Sequence, residues 1–152
     1  MGHLPHSPAV VGFLAWDMIF HQYYLDCLSQ MSYLIGDETS GRAIVVDPRR
    51  DVSDYLADAA AAGLTIERVT ETHCHADFLS DHLELAAAGA VISYGEGAQI
   101  DFPVELLADG QCIDLGEVRL EVRSTPGHTP ESISIVVYEH PRRSCPLRCP
   151  HG

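Results

Sequence analysis

The chain contains no lysine. Its nine basic residues are all arginine, set against 22 Asp and Glu, for a formal charge of −13 over 152 residues. The imbalance is sharper in the body: Arg142, Arg143 and Arg148 all lie beyond Glu139, in a segment that holds no acid. Up to Glu139 the chain therefore carries six Arg against all 22 acids, a formal −16. A body so short of positive charge repels nucleic acid and anionic lipid, so neither is expected as a partner. A small anionic substrate is not excluded, because a bound cation inverts the local field.

Long apolar runs are also missing. No stretch approaches the roughly 20 apolar residues that a membrane helix requires. Ala9 to Trp16 is apolar but short, and no basic segment precedes it, so no signal peptide is expected. The five cysteines are odd in number and irregularly spaced, which argues against a secreted disulfide framework and for free thiols in a reducing cytosol. A soluble, cytoplasmic protein is the expectation. With 46% apolar residues the chain can form a core, and its length suits one domain or part of a larger one.

The segment 1–17, which holds Pro5, Pro8, His3 and His6, reads as an extension to a domain beginning near Met18. Two strands are expected, one over 19–25 and one over 31–35, the second ended by the polar loop Gly36-Asp37-Glu38-Thr39-Ser40-Gly41. Ala43-Ile44-Val45-Val46 is a continuous apolar run, the mark of a strand buried on both faces, and Asp47-Pro48 closes it. Asp47 either caps a turn or supports a site. A helix from 51–54 to Ala62, with Tyr55, Leu56, Ala59 and Ala60 on its apolar face and Gly63 beyond its end, leads to a strand over 64–71. Such a strand–helix–strand unit usually joins parallel neighbours. A second helix, with Asp81 and Glu84 at capping-box spacing, runs to Gly89. Strands over 90–94, 104–107, 112–115, 118–123 and 133–138 complete the pattern. From Glu139 the periodicity stops.

The strand over 64–71 runs into Thr72-His73-Cys74-His75-Ala76-Asp77. On an extended backbone alternate residues point the same way, so His73, His75 and Asp77 are candidates to converge beyond the strand's C-terminal end, where α/β sheets place their sites. Cys74, between them, is expected to point into the core. Neutral imidazole and carboxylate are ligands for zinc, iron or manganese. A third histidine, His128, follows another strand in Ser124-Thr125-Pro126-Gly127-His128-Thr129, where Gly127 permits a tight turn back over the sheet. His82 is expected to be a surface or helix-packing residue.

These stretches carry a resemblance. Val45-Val46-Asp47-Pro48, Thr72 to Asp77, Gly89 and Thr125-Pro126-Gly127-His128-Thr129-Pro130-Glu131 resemble the metallo-β-lactamase superfamily, from about Met18 to Tyr138. Within it, residues 43–50 and 71–80 look most like the glyoxalase II and persulfide dioxygenase branch. The resemblance implies an α/β (α+β) fold, the αββα sandwich of that superfamily in its N-terminal portion only. Residues 1–17 would be an extension, 18–138 a partial domain and 139–152 an atypical tail.

It also implies a metal. Dinuclear members carry His directly after the Asp, and here that position is Phe78, which cannot coordinate; a mononuclear site is the simpler expectation. By resemblance His73 and His128 are ligands, His75 is a ligand or lies just behind one, and Asp77 orients a ligand. Fe(II) is the expected metal and Zn(II) the alternative. The family's carboxylate ligand is an Asp some twenty residues past His128, yet no Asp follows Asp114, so the chain reads as truncated or shifted in frame near residue 139. Three functions follow. The first is oxidation of a small-molecule thiol persulfide by O2 to sulfite and thiol, impaired by the missing ligand. The second is hydrolysis of a hydroxyacylglutathione-like thioester. The third is an inactive fragment. Whether this chain is itself an enzyme stays open, and a homodimer is the oligomeric state to test.

Overall fold

A computed structural model describes residues 17–75 and 80–139. The expected extension and tail fall almost wholly outside these, as do Asp77 and Phe78. The described chain runs β1 (Met18–Leu25), β2 (Gln30–Asp37), β3 (Arg42–Val46), α1 (Ser53–Ala61), β4 (Thr65–Thr70), α2 (His82–Ala87) and β5 (Val91–Gly95). It continues through β6 (Glu105–Leu107), β7 (Cys112–Asp114), β8 (Arg119–Ser124) and β9 (Ile133–Tyr138). A single 3-10 turn, Asp26–Leu28, joins β1 to β2.

Strands β1 to β6 lie side by side in chain order, β1, β2 and β3 antiparallel and β3 to β6 parallel. Strands β7, β8 and β9 form a second, antiparallel sheet. The expected β3–α1–β4 unit is present with its parallel pair. Strand β3 shows why its sequence is apolar without alternation. Ala43 and Val45 face the helices, packing with Leu34, Tyr55, Val69 and Leu85. Ile44 and Val46 face the other sheet, packing with Ile35, Leu120, Val122 and Ile133. Each fully buried aliphatic side chain contributes about 1.5–3 kcal/mol, so two cores share one strand. The result is helices on sheet on sheet, the α/β architecture expected, with one helical layer among the described residues.

Local expectations mostly hold. Asp51 Oδ1 accepts the Ser53 N–H at 3.0 Å ahead of α1, and Gly63 takes φ +68° just beyond it. Tyr55 and Ala59, four apart, turn inward, but Leu56 and Ala60 lie one step round the helix and are exposed. The capping box at α2 is not formed. Asp81 makes no side-chain cap, and its carbonyl oxygen alone accepts from Glu84 at 3.1 Å and Leu85 at 3.3 Å.

Asp37, expected only as part of a polar loop, is completely buried. Its Oδ1 accepts the Thr39 N–H at 2.8 Å, and its Oδ2 accepts N–H groups of Glu117 and Val118 from the β7–β8 turn. One carboxylate thus joins a hairpin of the first sheet to a hairpin of the second. Burial acts to raise its pKa, but these donors outweigh it and hold the carboxyl below the usual range. Gly116 leaves room for the contact: a Cβ there would collide with Asp37 Oδ2, and its φ of +122° suits glycine alone.

Cys27 and Cys74 are free and exposed, whereas Cys112 is disulfide-bonded, so the expectation of free thiols fails at that position. No helix among the described residues is long and apolar enough to cross a membrane.

Candidate metal centre

The site is assembled where β3 and β4 end. Beyond β3 the backbone turns at Asp47, which adopts φ +50°, an uncommon left-handed conformation outside glycine. Its N–H donates to the Thr70 carbonyl at 3.0 Å and its carbonyl accepts from Gln30 Nε2 at 2.7 Å. The side chain is thereby aimed across the end of β4. There Oδ1 accepts the Thr72 N–H and Oδ2 the Thr72 hydroxyl, both at 2.7 Å. Oδ1 also lies 2.9 Å from His75 Nε2. Of the two roles open for Asp47 from sequence, both are filled: it shapes the turn and it holds a histidine.

Strand β4 stops at Thr70, earlier than strict alternation through Asp77 requires. Residues 72 and 73 bend, so the imidazoles meet through a loop. Cys74 is consequently exposed, contrary to the expected inward thiol. The Thr72 hydroxyl has one proton, which goes to Asp47. It therefore accepts from His73 Nδ1, 3.0 Å away, and the His73 lone pair is on Nε2.

His128 arrives on the loop after β8, and two hydrogen bonds tie that loop to the first histidine pair. The Cys74 N–H donates to Glu131 Oε1 at 2.9 Å, and the Ile133 N–H donates to the Thr72 carbonyl at 2.8 Å. The loop is closed on itself by Thr125 N–H to the Ser132 carbonyl at 2.9 Å, with the Thr129 and Ser132 hydroxyls 2.7 Å apart. Burial would raise the Glu131 pKa, but the Cys74 N–H and its other donors lower it to about 2. Gly95, at the end of β5, sits directly under this loop; a Cβ there would collide with the Glu131 carbonyl oxygen and the Ile133 side chain.

The three histidines are brought together. The His73 and His75 rings lie 4.0 Å apart between centroids, and those of His73 and His128 lie 4.9 Å apart, nearly perpendicular. His128 is exposed, and His73 and His75 are half-buried. Asp77, the expected orienting carboxylate, lies outside the described residues.

Behind His75 is a second carboxylate. Glu71 is completely buried; its Oε1 accepts from Ser80 Oγ and lies 3.0 Å from His82 Nδ1, while its Oε2 lies 3.4 Å from His75 Nε2. Burial opposes ionisation of Glu71, yet the His75 and His82 imidazoles and the Ser80 hydroxyl around it hold it below the usual carboxylate range. Burial likewise opposes charging of His75, but the Asp47 and Glu71 carboxylates outweigh it and raise the imidazole to about 9. His82 packs as expected, stacked on Phe102 at 5.3 Å and edge-on to Tyr94 at 6.1 Å. Its hydrogen bond to Glu71 has no signature in the sequence. Glu71 stands at i, i+2 and i+4 with His73 and His75, and an acid ending a buried strand is the signal that could have marked it.

Two donor sets overlap at His75. Asp47, Glu71 and His75 offer ligand atoms within 4.8 Å of one another. Asp47 already accepts two hydrogen bonds from Thr72, however, and its 2.9 Å contact is what an imidazole N–H gives a carboxylate. That group therefore supports His75 from behind. Imidazole nitrogen suits zinc and iron, so the three histidines are candidate donors for a divalent cation.

The family model of the metallo-beta-lactamase superfamily matches residues 25–141. The chain belongs to that superfamily. Over 114 residues this superfamily member is 35% identical to the mitochondrial persulfide dioxygenase ETHE1 of Bos taurus, spanning 72% of this chain and 44% of that protein. Over 95 residues it is 39% identical to the hydroxyacylglutathione hydrolase of Hahella chejuensis, spanning 62% of this chain and 37% of that one. Among solved structures, a metallo-beta-lactamase from Staphylococcus aureus superposes with a TM-score of 0.76 at 39% identity, covering 81% of this chain and 39% of that chain. ETHE1 from Myxococcus xanthus gives 0.72 at 32%, covering 79% and 54%. The chain spans about half the length, or less, of the curated relatives it matches.

Proposed function

We propose that His73, His75 and His128 hold one divalent metal, Fe(II) rather than Zn(II), in a centre of the persulfide dioxygenase kind. The observation that carries the metal is the meeting of three imidazoles from two separate loops, with His73–His75 and His73–His128 centroids 4.0 and 4.9 Å apart. The choice of a mononuclear centre rests on Phe78, whose phenyl ring offers no donor where dinuclear members carry His. The choice of substrate rests on similarity to the bovine persulfide dioxygenase. The reaction would be thiol persulfide plus O2 plus water to thiol plus sulfite.

Bound there, Fe(II) would supply open positions for the persulfide sulfur and for O2. The chain's own residues do the positioning. The Thr72 hydroxyl accepts a hydrogen bond from His73 Nδ1–H, which leaves Nε2 as the donor nitrogen. Asp47 holds the Nε2 edge of His75. Glu131 fixes the backbone between the two, and His128 lies at the solvent edge, where a small substrate can enter. Asp77 would orient one of these ligands. The partial domain would be residues 18–138, flanked by an extension and a tail.

A thioester hydrolase is the second reading, favoured by the 39% identity to the Hahella chejuensis hydrolase. Loading the protein with iron or zinc and following O2 uptake with glutathione persulfide beside cleavage of a glutathione thioester separates the two. O2 uptake with iron supports the dioxygenase; thioester cleavage with zinc and no O2 uptake overturns it.

A further inference from the structure

None of these roles uses Glu71. It is a completely buried carboxylate at the end of β4, and burying such a charge is costly unless it is fully engaged. Its two oxygens are treated unequally. Oε1 is held by the Ser80 hydroxyl and faces His82 Nδ1 at 3.0 Å. Oε2 makes no well-aligned hydrogen bond among the described residues, and it points to His75 Nε2 at 3.4 Å. Glu71 is therefore clamped from the α2 side and aimed at the candidate ligand on the other. The clamp itself is braced, since His82 is stacked on Phe102 and set edge-on to Tyr94.

We propose that Glu71 is a positioning residue: anchored by Ser80 and His82, it shares with Asp47 the Nε2 edge of His75 and fixes which ring nitrogen is offered to a metal. The inference rests on the metal reading above, because it concerns how His75 is prepared as a ligand. Its chemistry is simple. A proton on Nε2 is directed at Asp47 Oδ1, 2.9 Å away, and the Glu71 Oε2 charge lies 3.4 Å from the same nitrogen. A proton on Nδ1 alone would leave the Nε2 lone pair facing two carboxylates, which is repulsive. Donation to a metal then falls to Nδ1. Asp47 could hold the proton alone, but its Oδ1 is shared with the Thr72 N–H. Glu71 supplies a second negative charge at that edge and, through His82, ties the ring's orientation to α2.

The test uses the full chain, Zn2+ as the diamagnetic probe, and E71Q. Long-range 1H–15N correlation spectra of the zinc-loaded wild type should show His75 protonated at Nε2 and metal-bound at Nδ1. In E71Q, which removes the negative charge beside Nε2, zinc affinity should fall about tenfold or more, as is usual when a group behind a ligand is changed. H82F, which removes the clamp but keeps the acid, should lower affinity in the same direction by less. His75 protonated at Nδ1 in the wild type overturns the proposal, as does a folded E71Q with unchanged zinc affinity and unchanged His75 nitrogen shifts. If E71Q does not fold, the wild-type spectrum and H82F decide. A wild type that binds no zinc would sink the metal reading instead. Glu71 is then judged in metal-free protein, where E71Q must move the His75 nitrogen shifts and unchanged shifts overturn its role.

Discussion

The backbone N–H of Cys74 donates to Glu131 Oε1 at 2.9 Å, joining the turn between two histidines to the loop that carries the third. The two residues are 57 apart in sequence and belong to loops of different sheets. The contact ties together the loops whose His73 and His128 rings lie 4.9 Å apart.

Glu131 should therefore control an acid limb of stability. Its pKa is lowered to about 2 in the folded protein from an ordinary value near 4.5. A depressed folded pKa contributes stability that is fully present above the unfolded value and is lost as pH falls through the folded one. Urea unfolding of the wild type should weaken between about pH 4.5 and about pH 2. E131Q, which keeps an oxygen acceptor but not the charge, should be about 1 kcal/mol less stable at pH 7 and should lack this contribution in that window. An unchanged acid profile in E131Q would remove the residue's assigned role.

Asp37 is the corresponding tie between the two sheets at the opposite end. D37A would leave the N–H groups of buried Val118 and of exposed Glu117 without their acceptor, at a cost of about 1–3 kcal/mol for each group that water does not reach. With Val118 alone sealed from water, a loss of about 1 kcal/mol or more is expected in equilibrium urea unfolding. A loss below about 0.5 kcal/mol, the level of an ordinary surface substitution, would show that the turn relaxes freely.

Gly95 has no space for a methyl group beneath the Glu131 carbonyl. G95A should cost about 1–3 kcal/mol, the usual range for overpacking. Because the displaced segment carries Glu131, amide shifts should move at Cys74 and His128 as well as locally. Perturbation confined to β5 would contradict the packing described.

Most of the fold was legible because it depends on periodicity. The continuous run at 43–46 announces a strand buried on both faces, and Gly63 and Gly89 mark helix ends by their positive φ. The parallel β3–β4 pair follows from the helix between them. The candidate site was legible only as a set of histidines. His73, His75 and His128 stand out because imidazoles at strand ends are chemically distinctive. Glu131, Asp37 and Glu71 do not, because a carboxylate's role depends on which distant N–H or hydroxyl it meets, and the chain's 22 acids give no local sign of that. The inward direction expected for Cys74 fails for a related reason. Alternation is a property of paired strand, and pairing in β4 ends at Thr70, before the motif begins.

The central claim is that three imidazoles, His73, His75 and His128, form one metal centre. The most direct measurement is a zinc titration of the full chain beside H73A, H75A and H128A, each checked for fold by circular dichroism. One ion per wild-type chain is predicted, with each substitution weakening binding at least a hundredfold. Wild-type affinity retained by H128A, or a wild-type chain that binds no ion, would contradict it.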